Sequence, residues 1–136
     1  KLFLEAPTPE KTIDSSKARI FYNNHQPTLV EHDPLTSGRF LIFSNGYDDK
    51  QSNVYELRLP TIFNEDPSLW ILPEITWTFT HPDLYFGVIS GAYRLPNGNT
   101  LICEGDYGYW EVSRTGDVVW KFNGGGSYFW RGYVYP

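Results

Sequence analysis

Four short runs of alternating apolar and polar residues, each long enough for one β-strand, follow one another late in the chain. The runs are 89–95, 100–103, 109–112 and 118–122. Pro96-Asn97-Gly98 separates the first two runs. Proline pre-sets φ and glycine supplies a positive φ, so this segment predicts a hairpin turn. In the last run Val118, Trp120 and Phe122 fall on one face at period two. The pattern predicts a unit of four antiparallel strands.

The same order of features occurs earlier in the chain. The matching segments are 38–43 with 98–103, 55–58 with 110–113, and 77–79 with 120–122. The earlier copy has a longer hairpin loop at 47–52 and an insertion at 61–74. A repeated four-stranded sheet with aromatic residues and glycines in each copy is typical of β-propeller blades. We therefore predict an all-β fold built from propeller blades of four antiparallel strands.

The repeat divides the chain into four parts. They are an arm with the edge strand of a preceding blade (1–26), a blade with the insertion (27–86), a second blade (87–126) and the start of a next blade (127–136). A propeller closes with about four to eight blades, and this sequence supplies about three blades' worth. We therefore expect it to be part of a larger propeller, or a piece that another chain completes.

In the first blade, Thr28–His32 is the predicted innermost strand, and 23–27 is predicted to break the chain before it. The strand Val54–Leu59 is predicted to be half exposed, with Glu56 and Arg58 on its solvent side. Trp77 and Trp120 repeat with the blades and are therefore predicted to be packing residues.

Composition excludes several classes of function. The net charge is −5 with no Lys/Arg run, so a nucleic acid is not an expected partner. No apolar run approaches the roughly 18 residues of a membrane helix, so no membrane span is expected. The single Cys103 allows neither an internal disulfide nor a multi-cysteine metal site, and we predict a small buried hydrophobe there.

Neither a metal nor a cofactor is expected. Asp48 and Asp49 could gather oxygens for Ca²⁺, but their spacing matches no EF-hand loop and favours a solvated hairpin tip. His25 and His81 lie beside prolines and are predicted to be turn residues rather than ligands.

The sequence of the later repeat resembles sequences of a known family. Leu-Pro-Asn-Gly-Asn-Thr-Leu-Ile-Cys-Glu-Gly at 95–105 and Thr-Gly-Asp-Val-Val-Trp-Lys-Phe at 115–122 resemble the propeller repeats of arylsulfotransferase-like proteins. The resemblance extends over residues 31–136. It implies transfer of sulfuryl groups between phenolic compounds through a histidine, an aryl sulfate or phenol as the ligand, and a periplasmic or extracellular location.

The resemblance also points to particular residues. A His-Asp pair before a strand that ends in Asn-Gly is part of the family's pattern, and His32-Asp33 and Asn45-Gly46 match it. The resemblance therefore implies that His32 acts as nucleophile or general base, facing the central axis. The alternative is that His32 caps the turn beside Asp33.

The cation that would hold the sulfuryl group is replaced in this sequence. Where the family has a Ser-Arg pair, the chain has Ser52-Asn53. Arg94 and Arg131 are the candidate substitutes, since a guanidinium fork pairs well with an oxyanion. The alternative for each is a surface position or a cation–π contact, with Tyr93 and Trp130 beside them.

A second function class stays open. The insertion 61–74 carries Phe63, Trp70, Ile71 and Leu72 and is too apolar for a solvated loop. We expect it to pack on a blade or to bind a protein partner. The chain would then be a non-catalytic binding or scaffold module within a larger assembly.

Overall fold

Turn residues and apolar alternation divide the described part of the chain into eight strands. The computed structural model describes residues 21–46, 50–61, 64–66, 69 and 71–134. The strands are β1 (Asn24–Leu29), β2 (Phe40–Ser44), β3 (Asn53–Arg58), β4 (Glu74–Thr80), β5 (Gly91–Arg94), β6 (Thr100–Glu104), β7 (Gly108–Val112) and β8 (Val118–Asn123). The prediction of an all-β fold is confirmed for these residues.

Within each of the two sheets, consecutive strands pair antiparallel. Sheet A has the order β1-β2-β3-β4 and sheet B the order β5-β6-β7-β8. The registers repeat as the sequence predicts: Glu56 lies opposite Trp77 in sheet A, and Glu111 lies opposite Trp120 in sheet B. The repeated four-stranded unit is therefore present twice, and the two described sheets do not close into a ring.

The two sheets face each other across the main core. Sheet A contributes Leu41, Phe43, Val54 and Phe79, and sheet B contributes Ala92, Ile102, Trp110 and Val112. All are buried because alternation places them on facing sides of the two sheets. We call the side of sheet B toward sheet A its near face and the opposite side its far face. Cys103 is buried in β6, as predicted for a small hydrophobe.

The first strand lies earlier than predicted. β1 is Asn24–Leu29, so Asn24 and His25 pair with β2 where a break was predicted, and His32 lies beyond the strand. The register shifts between His25 and Thr28, and Gln26 has a φ of 44°. This irregularity admits Pro27, which an edge strand tolerates because it need not donate to the ladder.

Both outer strands contain an irregularity that the period-two pattern missed. The register of β7 and β8 shifts between Glu111 and Val112, which leaves Val119 as an extra residue. Val118 therefore packs against the main core, while Trp120 lies on the far face with Glu111. The prediction that Val118 and Trp120 share a face is wrong for this reason. The register of β3 and β4 shifts at the equivalent position.

The insertion 61–74 and the two ends of the chain were predicted to form particular structures, and their outcomes differ. In the insertion, Leu69, Ile71 and Leu72 are exposed, so these side chains do not pack on a sheet. Phe63 and Trp70 of the insertion lie outside the described residues, as does the predicted arm at 1–20. Residues 127–134 follow β8 without forming a strand. In the described part of the chain, we find no helix with the length and apolar character needed to cross a membrane.

Candidate functional site

A buried ion cluster lies between the two sheets, with Glu56 at its centre. Arg94 Nη2 is 2.6 Å from Glu56 Oε2, and Arg39 Nη1 is 2.7 Å from Oε1. Thr76 Oγ1 also donates to Oε1, at 2.7 Å. Burial would raise the pKa of Glu56, but the hydrogen bonds from Arg39 and Thr76 and the charge of Arg94 lower it below its ordinary value. The prediction that Glu56 faces solvent is wrong, because sheet B covers this side of β3.

Arg94 crosses from sheet B to sheet A. Its side chain is 2% exposed, because alternation along β5 places it on the near face. Its other terminal nitrogen donates to Thr100 Oγ1 at 2.7 Å and to the Gly98 carbonyl at 3.2 Å. Its guanidinium carbon lies 4.8 Å from the ring centroid of Trp77. Arg94 is thus a buried ion-pair residue with a cation–π contact, not a surface residue, and its aromatic partner is Trp77.

A second ion pair lies at the same end of the interface. The buried Asp33 carboxylate accepts hydrogen bonds from Arg114, Thr36 Oγ1 and the Leu35 amide. Burial would raise the pKa of Asp33, but these hydrogen bonds and the charge of Arg114 lower it to about 2. The Arg114 carbonyl accepts a hydrogen bond of 2.9 Å from Trp77 Nε1. The β1–β2 and β7–β8 turns are therefore tied together across the sheets.

The three predicted site residues lie in different surroundings. His32 is exposed in the β1–β2 turn, beside the buried Asp33 and at the end of the molecule where the Arg94 cluster lies. Arg131 is exposed on the far side of sheet B from Arg94, and its carbonyl accepts a hydrogen bond of 3.3 Å from Tyr109. The structure therefore places His32 and Arg94 at one end and separates Arg131 from both.

The residues that the family pattern groups with His32 lie elsewhere. Ser44 pairs with both Asn24 and Asn53, so the Asn45-Gly46 turn and Asn53 lie at one end of sheet A. His32 follows the opposite end, where Leu29 pairs with Phe40.

A different histidine contacts Asn45. His25 Nδ1 lies 2.7 Å from Asn45 Oδ1 and 2.9 Å from the Asn23 carbonyl oxygen. Both partners are acceptors, so Nδ1 carries the proton of the neutral ring and Nε2 its lone pair. Asn45 is fully buried, and its amide donates to the Ile89 carbonyl at 2.8 Å. Ile89 and Asn23 both have positive φ angles, of 50° and 49°, which are uncommon for residues other than glycine.

Sequence reasoning missed His25 because it read 23–27 as a break between strands. Asn45 could have pointed to His25. Its side chain directly follows a buried strand, so its amide donors and its carbonyl acceptor all need hydrogen-bond partners. The prediction that His25 is a turn residue is wrong, since it pairs with Phe43 in the β1–β2 ladder.

Residues 129–133 pack on Tyr93 and Tyr109 on the far face of sheet B, and an aromatic surface beside them remains exposed. Trp120 is 49% exposed and Phe122 is 47% exposed, and their rings stack at 6.1 Å with an interplanar angle of 13°. The equivalent pair in sheet A, Trp77 and Phe79, stacks at 6.2 Å and 12° and lies against sheet B. Trp120 is therefore the repeat equivalent of an interface residue but has no sheet against it among the described residues.

Three further findings bear on the chemistry of the chain. Burial raises the pKa of Cys103 to about 12, so its thiolate is not accessible as a nucleophile near neutral pH. Within the described ranges, no group of three or more His, Cys, Asp or Glu side chains could hold a metal ion, and Asp48 and Asp49 lie outside them. Comparisons with protein families, with curated proteins and with solved structures found no match.

Proposed function

We propose that this chain is an interaction module that binds a further β-sheet through the far face of sheet B. One observation carries the proposal. The exposed pair Trp120 and Phe122 has the ring geometry of the pair Trp77 and Phe79, on which sheet B itself packs. A surface that repeats the chemistry of a known sheet interface fits the same kind of partner.

The energetics favour coverage of this face. Burying one large apolar side chain is worth about 1.5–3 kcal/mol, and large exposed aromatic groups mark interaction sites. Trp120 and Phe122 are both about half exposed. A partner that covers this part of the face would remove both rings from water.

The repeat extends in the other direction as well. Phe21 packs the edge of its ring on Tyr55 at 5.3 Å and 72°, on the side of sheet A away from sheet B. Phe79 contacts Trp110, the repeat equivalent of Tyr55, in the same edge-to-face manner at 6.4 Å and 68°. Serial packing of this kind supports the proposal that sheets A and B are blades of a propeller.

Native mass spectrometry of the purified protein tests the interaction proposal. We expect complexes heavier than a single chain, and we expect Trp120→Ser/Phe122→Ser to abolish them while the chain stays folded. Leu69→Ser/Ile71→Ser is the matched control in the exposed insertion. Loss of the complexes in the control alone would instead assign the partner to residues 61–74. Absence of any complex from the unaltered protein would refute the proposal.

We propose sulfuryl transfer from an aryl sulfate to a phenol as a second candidate function. The resemblance of the repeats supports it, and so does the orientation of His25 by the buried Asn45, which leaves Nε2 as a nucleophilic nitrogen. Export to the periplasm or the extracellular space belongs to this second proposal.

Release of nitrophenol from nitrophenyl sulfate, with phenol as acceptor, tests the second proposal. Turnover lost in His32→Ala but kept in His25→Ala supports the residue implied by the family pattern, and the reverse supports His25. No turnover by the unaltered protein, or turnover unchanged in both variants, would refute histidine-based transfer.

A further inference from the structure

Two glutamates occupy equivalent positions in the two sheets. Glu56 lies opposite Trp77, and Glu111 lies opposite Trp120, each next to the irregularity in the outer strand. Each carboxylate therefore lies beside an indole ring on the same side of its sheet. In sheet A this is the side that faces sheet B, and in sheet B it is the far face.

The first oxygen of each carboxylate is held from within its own sheet. Arg39 Nη1 binds Glu56 Oε1 at 2.7 Å, and Asn99 Nδ2 donates to Glu111 Oε1 at 2.7 Å. Arg39 directly precedes β2 and Asn99 directly precedes β6, so the two donors are also equivalent in the repeat. Both carboxylates are thus oriented by the residue before the second strand.

The second oxygen is where the two sites differ. Glu56 Oε2 receives the guanidinium of Arg94, which comes from the neighbouring sheet. Glu111 Oε2 has no donor among the residues that the structure describes, although Arg131 is exposed on the same face. The guanidinium carbon of Arg94 lies 4.8 Å from the ring centroid of Trp77, whereas the indole of Trp120 is half exposed.

We propose that Glu111, Asn99 and Trp120 form a second arginine-binding site, whose ligand is an arginine on a β-sheet of a partner protein. This inference rests on the proposed interaction function and names the chemistry of the partner: an antiparallel sheet that carries an arginine as β5 carries Arg94. A guanidinium suits the site better than an ammonium, because its planar fork pairs with the free carboxylate oxygen while its face stacks on the indole.

The probe is a hairpin taken from this chain. A disulfide-closed peptide with the sequence of residues 91–104 and Cys103→Ser contains Arg94 in the strand that presents it to Glu56. A second peptide replaces Arg94 by citrulline, which keeps the shape but removes the charge. Peptide NMR first establishes that both hairpins are folded, and calorimetry then measures their binding to the full chain.

We expect the arginine peptide to bind about tenfold more tightly than the citrulline peptide, because the pairing and stacking of the charge are lost in citrulline. We expect Glu111→Gln to remove this difference. Asp106→Asn, which removes an exposed carboxylate from the turn at one end of the same sheet, is the matched control and should preserve it.

Three outcomes would overturn the inference. They are equal binding of the two peptides, a difference that survives Glu111→Gln, and no binding of either folded hairpin. Equal binding that is lost in Trp120→Leu would reject the arginine site but leave sheet docking standing, so the two proposals fail separately. Failure of the docking function itself would show as the absence of complexes from the unaltered protein in native mass spectrometry.

Discussion

Replacing Arg94 by methionine removes the charge that pairs with Glu56 Oε2 from sheet B. Methionine keeps the apolar stem against Trp77, so the main loss is the ion pair. Breaking a buried pair costs about 3–5 kcal/mol, because it leaves a charge without a partner in a poorly solvated site. Arg39 and Thr76 still bind Oε1, so we expect a loss at the lower end, about 3 kcal/mol.

Urea unfolding at pH 7, followed by tryptophan fluorescence, measures this loss. Arg58→Met is the matched control, because Arg58 and Glu74 form an ion pair of 2.9 Å with both side chains more than half exposed. Such surface pairs contribute about 0–1 kcal/mol. Glu56→Leu/Arg94→Met should recover most of the stability, since it leaves no unpaired charge. A loss below about 1 kcal/mol in Arg94→Met would refute the assignment of Glu56 and Arg94 as a tightly buried pair.

Three further predictions concern other features of the structure. Gly98→Ala should destabilise the chain more than Gly116→Ala in urea unfolding. Both glycines have a positive φ, but of the two only Gly98 is close enough for a new Cβ to meet the Arg114 side chain. Equal losses of stability would contradict this prediction. Folding lowers the pKa of Asp33 from 3.8 to about 2, so its carboxylate should stabilise the chain by about 2 kcal/mol relative to Asp33→Asn. This stabilisation should be complete above pH 4 and disappear as the pH falls toward 2. A difference in stability between the two proteins that does not change with pH would refute the prediction. Cys103 should react with a thiol reagent only on unfolding, because burial raises its pKa to about 12, and rapid labelling of the native chain at pH 8 would be the contrary result.

The strands and their repetition could be predicted from the sequence because local chemistry determines them. The Pro96-Asn97-Gly98 turn forms as predicted, with the Gly98 amide donating to the Leu95 carbonyl at 2.9 Å. The match of 55–58 with 110–113 also holds, since Glu56 and Glu111 occupy the same register position. These features depend on neighbours within a few residues or on a pattern that recurs.

The side-chain environments could not be predicted because they depend on contacts between distant residues. Arg94 and Glu56 are 38 positions apart, and either one alone resembles a solvated charge. The hydrogen bond between His25 and Asn45 depends on an irregular strand, and a proline such as Pro27 argues against a strand there. The extra residue at Val119 changes the face of Trp120, and period-two counting cannot detect it.

Within each sheet, every strand pairs with its neighbours in sequence, and this has a kinetic consequence. Each sheet can form from successive hairpins between strands that are neighbours in sequence, whereas Glu56 and Arg94 meet only when the finished sheets dock. We therefore expect Arg94→Met to accelerate unfolding while leaving the refolding rate nearly unchanged, because the contact forms after the main barrier. Stopped-flow refolding that slows in proportion to the loss of stability would instead place sheet docking in the folding nucleus.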